Sequence, residues 1–71
     1  MLDPRLAQTY LLRGQAHLAL DQFDAAVIDL NQALKLNPNL SEAFALRGRA
    51  LLALGRDDQA AQDLESSEQP N

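Results

Sequence analysis

Seventy-one residues without a cysteine allow one small domain or a piece of a larger array, braced by neither disulfides nor thiolate–metal sites. The formal net charge of −4 offers no basic face for phosphates, which disfavours nucleic-acid binding. No apolar run approaches a membrane span, and the opening Met-Leu-Asp-Pro-Arg lacks the charged and apolar regions of a signal peptide. The cysteine-free composition is compatible with a reducing compartment, and a cytoplasmic location is the expectation.

A chain of this length buries only about 60% of the surface that it exposes when unfolded, so its stability is modest. Two phenylalanines, one tyrosine and no tryptophan leave the core to Leu and Ala, which favours close helix-on-helix packing. Charge is unevenly placed. Asp57, Asp58, Asp63, Glu65 and Glu68 stand without a Lys or Arg among them, giving −5 beyond residue 56 and +1 over residues 1–56. A solvated terminal helix and tail explain that acidic end.

In chain order, Asp3 is a good N-cap and Pro4 a good first helical residue, since its missing N–H would have had no partner there. A first helix is predicted from about Pro4 or Leu6 to Ala19 or Leu20, apolar over a wide arc that includes Leu6, Tyr10, Leu11, Leu12, Ala16 and Leu18. Asp21-Gln22 is a polar break, with Asp21 a candidate cap. The second helix, Phe23 to Leu36, has Phe23, Val27, Leu30 and Leu34 on one face, flanked by the small Ala26 and Ala33. At roughly four turns it is marginal alone and must be covered. Pro38 ends it near Asn37. Asn39 or Ser41 is expected to cap a third helix running to about Leu54, after which Gly55 suits a left-handed residue. Asp57 or Asp58 then opens a fourth helix that should fray near Ser66, with residues 70–71 disordered.

The strongest signal is an internal offset of 34 residues. It lays Leu12, Arg13, Gly14, Ala16, Leu18, Ala19 and Leu20 on Leu46, Arg47, Gly48, Ala50, Leu52, Ala53 and Leu54. It also lays Asp24, Ala26, Asp29 and Leu30 on Asp58, Ala60, Asp63 and Leu64, and Tyr10 on Phe44. Two helices per period of this length describe a helical solenoid. Gly14 and Gly48 lie mid-helix at about 1 kcal/mol each relative to Ala, tolerable where a neighbouring helix presses close. Ala26 and Ala60 serve the same approach from the partner helix, and the aromatics fill the wider gaps.

These residues resemble tetratricopeptide repeats, whose pattern is a large aromatic, a Leu-Gly or similar pair, a second aromatic, then Ala, an aromatic, Ala and Pro. A first repeat over about 7–40 supplies Tyr10, Gly14, Ala26, Ala33 and Pro38. It departs with Arg13 before the glycine, His17 in the second aromatic slot and Leu30 in the third. A second repeat over about 41–69 supplies Phe44, Gly48, Ala60 and Leu64, with Leu51 in its second aromatic slot and Ser67 in place of the later alanine. Leu2-Asp3-Pro4 resembles Leu36-Asn37-Pro38, so residues 1–6 are expected to be the tail of a preceding repeat. The resemblance implies one all-α domain over 1–71, with about four helices in antiparallel pairs stacked as a short right-handed α-solenoid. The fourth helix would be its polar cap.

Candidate chemistry is sparse. Arg13 and Arg47 are each followed sixteen residues on by an aspartate, Asp29 and Asp63. An Arg–Asp bridge between helices is the expected role, and an anion site is the less favoured one. His17 is the only histidine and reads as a packed or half-exposed ring, because one His with scattered carboxylates makes no transition-metal site. The serines at 41, 66 and 67 lie in a cap and a tail, outside any Ser–His–Asp arrangement, and no Gly-rich phosphate loop occurs. Asp57-Asp58 suits a helix start through the dipole. No enzyme activity, cofactor or metal is expected.

The resemblance implies a function in protein–protein interaction, with a peptide or partner helix bound in a concave groove lined by the first helix of each repeat. By position, the groove residues are Gln8, Leu11, Gln15, Leu18 and Ala19 in the first repeat. Glu42, Ala45, Arg49, Leu52 and Ala53 are their counterparts in the second. The groove is mildly apolar with one cation, Arg49. Leu11, Gln15 and Leu46 stand where family members that clamp a C-terminal carboxylate carry Lys or Asn, so no such clamp is expected. The alternative is self-association into a homodimer through the open N-terminal end, near Leu2 and Leu6, because about three repeats are usually needed to bury a continuous core.

Overall fold

The structure, a computed structural model, describes residues 3–68. Asp3 opens the first helix, its carboxylate accepting from the Arg5 backbone N–H at 2.9 Å. From there α1 (Pro4–Ala19), α2 (Phe23–Leu36), α3 (Ser41–Ala53) and α4 (Asp57–Glu68) follow, with no strand among the described residues. The limits of α2 coincide with those read from its periodicity and Pro38. The expectations for Leu2 and for residues 70–71 lie outside the described residues.

Both turns within the pairs close alike. After α1, Asp21 adopts a left-handed φ of 58°, while the Gln22 N–H donates to the His17 carbonyl at 2.8 Å and the Asp21 N–H to the Leu18 carbonyl at 3.0 Å. After α3, Gly55 adopts φ 79°, and the N–H groups of Arg56 and Gly55 donate to the Leu51 and Leu52 carbonyls at 2.8 and 3.0 Å. These are Schellman closures, which satisfy carbonyls that a helix end would leave without partners. Asp21 therefore closes α1 and does not cap α2. The N-cap of α2 is Gln22, with no side-chain cap bond.

Between the pairs, the Asn37 side chain accepts from the Asn39 N–H at 3.2 Å, and the Leu40 N–H donates to the Asn37 carbonyl at 3.2 Å. The N-cap of α3 is Leu40, replacing the expected Asn39 or Ser41, and it too lacks a side-chain cap bond. Leu40 packs against the core, so burial of an apolar anchor decides the entry of α3 in place of a polar cap. The fourth helix continues through Glu68 instead of fraying near Ser66. In its last turn the Ser67 hydroxyl donates to the Leu64 carbonyl at 2.7 Å.

α1 packs along α2 and α3 along α4, while α2 joins the pairs by packing on α3, with a lighter contact from α1 to α3. Leu11, Ala26, Leu30, Ala33, Leu34, Ala43, Leu46 and Ala50 form the core, with Tyr10, Leu18, Val27 and Phe44 against it. A Cβ at Gly14 would lie 2.9 Å from Cγ of Leu30, and one at Gly48 would lie 2.9 Å from Cγ of Leu64. The two glycines thus admit one leucine each at the closest approach of each pair. Of α4 only Ala60 and Asp63 are buried, consistent with a polar closing helix.

Two substitutions test these contacts by denaturant unfolding followed by circular dichroism. Gly14→Ala should lower stability by about 1–2 kcal/mol, overpacking at Leu30 exceeding a helix-propensity gain of roughly 1 kcal/mol. Asp21→Gly should raise stability by about 0.5–1 kcal/mol, because glycine adopts the left-handed conformation without strain.

Candidate functional site

The repeated Arg–Asp pairs form as the spacing implied. Arg13 on α1 donates from Nε to Asp29 Oδ2 at 2.7 Å and from Nη2 to Oδ1 at 2.8 Å. Arg47 on α3 holds Asp63 through the same atoms at the same distances. Both aspartates are buried, and each fork is the bidentate geometry that suits guanidinium to carboxylate. Arg13 also lies over the Tyr10 ring and Arg47 over Phe44, at 5.3 and 5.5 Å from the centroids. Hydrogen bonds from Arg13 hold the Asp29 carboxyl below its usual range against the opposing effect of burial. Each guanidinium is already neutralised within its pair, which leaves the anion-site reading without support.

One further bond escaped the sequence reading. Arg47 Nη1 donates to Asn31 Oδ1 at 2.9 Å, so a single guanidinium ties α4 of its own pair to α2 of the preceding one. The signal was present, since Asn31 precedes Arg47 by the same sixteen residues that separate Arg47 from Asp63. His17 is a half-buried ring with Nδ1 2.7 Å from Gln22 Oε1 and Nε2 3.3 Å from Asp29 Oδ2. Among the described residues no buried side-chain polar atom lacks a partner, and no cluster of three His, Cys, Asp or Glu is arranged to hold a metal.

The expected groove residues fall into three classes. Gln8, Gln15, Ala19, Glu42, Arg49, Leu52 and Ala53 are exposed, and Leu18 and Ala45 are half-buried. Leu11 is different. At 1% exposure it belongs to the core together with residues of α2 and α3, so it offers nothing to a ligand and is withdrawn from the set. The repeat position that made it a groove candidate carries a leucine here, and that side chain is seated in the core. Leu46, another position compared with the carboxylate clamp, is buried as well.

A cleft of about 310 Å³ that the sequence did not announce lies between α2 and α4, with α3 as its floor. Asn31, Arg47, Arg56, Gln59, Gln62 and Asp63 give it a polar lining, with Val27 and Leu51 as its apolar part. Its sequence signal is faint: Gln59 and Gln62 share one face of α4, opposite Asn31.

The Arg13–Asp29 pair makes stability pH-dependent. Because the folded Asp29 carboxyl lies below its unfolded value, its contribution is fully present above the ordinary carboxylate range and is lost as pH falls through the folded value. Asp29→Asn should cost about 1–3 kcal/mol at neutral pH through its weakened hydrogen bonds. It should also lessen the fall in Tm between neutral and acid pH, measured by thermal melts across that range.

Comparison with known proteins agrees with this geometry. Two family models, both described as Tetratricopeptide repeat, match residues 7–40 and 30–62. No curated protein and no solved structure gives a significant match. The first match coincides with the α1–α2 unit and its closing turn, and the second crosses that turn into α3 and α4. Taken together over residues 7–62, with the repeated helix pairs they span, these matches show that the chain belongs to the tetratricopeptide repeat family.

Proposed function

We propose that the chain is a protein–protein interaction module that takes a peptide or a partner helix across the adjoining faces of α1 and α3. Repeats of this family are typically non-catalytic interaction modules, which supports the general reading. The observation that carries the finer one is the exposure pattern. Gln8, Gln15, Glu42, Arg49 and Leu52 are open to solvent on α1 and α3, while the Arg–Asp pairs are engaged within the helix pairs. Side-chain amides offer both donors and acceptors to a backbone, Leu52 gives an apolar contact, and Arg49 favours an acidic group in the ligand. Leu18 and Ala45 line the floor of this surface.

Self-association is the second reading, favoured by the exposure of Leu6 at the open end of α1. Sedimentation velocity across a concentration series separates the two, since a persistent monomer removes the dimer. For the groove, an array of extended and helical peptides should yield binders that prefer an acidic residue. Arg49→Glu and Leu52→Glu should each weaken them about tenfold or more, with melting unchanged because both positions are exposed. Binding unaffected by both changes would remove the groove assignment.

A further inference from the structure

α2 and α4 both rest on α3 and make no contact with each other, which is why a cleft of about 310 Å³ opens between them. Its lining divides by what the repeat requires. Arg47 and Asp63 recur as Arg13 and Asp29, and the same bidentate pair forms in both copies. Arg56, Gln59 and Gln62 do not recur: 34 residues earlier the chain carries Gln22, Ala25 and Ile28. α2 forms and packs on α1 with those residues, so a helix pair needs neither a cation nor two carboxamides at these positions. Arg56, Gln59 and Gln62 are all exposed, and Arg56 engages no carboxylate among the described residues. Asn31 completes the set. Its Oδ1 accepts from Arg47 Nη1 at 2.9 Å, which leaves its amide nitrogen as a donor.

We infer that this cleft is a second binding site, for the side chain of a glutamate carried on a partner peptide. Two arginines against one aspartate leave the lining one positive charge. That matches a single carboxylate, whereas a doubly charged phosphate would lack a second cation. The Arg56 guanidinium can meet both carboxylate oxygens in a fork. Val27 and Leu51 give the methylene stem an apolar bed, which favours Glu over the shorter Asp. Asn31, Gln59 and Gln62 offer donors and acceptors to the backbone that carries the side chain. Ligand sites span about 300–1,000 Å³, so a cleft at the lower end admits one residue and not a helix. The site is separate from the groove. Arg47 and Leu51 lie about one turn apart on α3, while Arg49 lies roughly 200° around the helix from Arg47.

The test is an NMR titration of the isotope-labelled whole chain, read at the side-chain amides of Asn31, Gln59 and Gln62. The probe is N-acetyl-glutamate N-methylamide, and its glutamine analogue, free glutarate and inorganic phosphate are the comparisons. Saturable shifts are expected with a Kd on the order of 1 mM, and binding of the glutamine analogue should be about tenfold weaker or more. Glutarate should also bind more weakly, because it lacks the backbone amides. Arg56→Gln should weaken the glutamate probe about tenfold, with melting unchanged because Arg56 is exposed. Arg49→Glu should leave this binding intact, so failure of the groove and failure of the cleft are told apart. No saturation at about ten times that concentration, or equal binding by the glutamine analogue or the Arg56→Gln chain, would overturn the inference. So would tighter binding of glutarate or phosphate, because the cleft would then serve a free anion.

Discussion

The backbone of α1 can approach α2 as closely as it does because Gly14 carries no Cβ where Leu30 enters, and Gly48 repeats the arrangement for Leu64. This approach also sets the electrostatics, because each glycine is preceded by an arginine and each leucine by an aspartate. Once Leu30 is seated on Gly14, Asp29 is carried below the protein surface beside Arg13, within 2.7 Å of its Nε. A slip along the helix would strand a carboxylate in apolar surroundings. The pair therefore acts against wrong registers more than it adds stability in the right one.

Two copies of one pattern acquire different surfaces from their different neighbours. Leu12 and Leu46 are the same residue type in the same slot, yet one lies open and the other is covered by α2. Down the chain the stack changes character. Val27, Ile28 and Leu34 of α2 give way to Ala61, Gln62 and Glu68 of α4. Solvation is built into the far end by composition, and the near end keeps its aliphatic side chains.

Much of this was legible in the sequence because a repeat reports every decisive residue twice. The glycines, the small alanines and the sixteen-residue Arg–Asp spacing each occurred in duplicate, and each found its predicted partner. Cap assignments fared worse. Asp21, Asn39 and Ser41 have the side chains of good caps, but Schellman closures and the burial of Leu40 determine the turns instead. Local propensity of a fraction of a kcal/mol gives way where a carbonyl or an apolar side chain must be satisfied. Leu11 was misassigned for a related reason. Helical spacing places a residue on a face, but burial depends on which other helices reach that face. The Asn31–Arg47 bond joins two repeats, and the pattern within one repeat does not contain it.

The buried contacts of α4 have a consequence for the order in which the chain opens. α4 rests on α3 alone, anchored by Ala60, Asp63 and the fit of Leu64 on Gly48. Peeling it away disturbs none of the contacts among the other three helices, so its amide protons exchange with solvent at the lowest free energy. That opening releases Arg47 from Asp63 while Asn31 still holds it. A guanidinium half-buried within the pair in the closed state becomes a tethered cation in the open one.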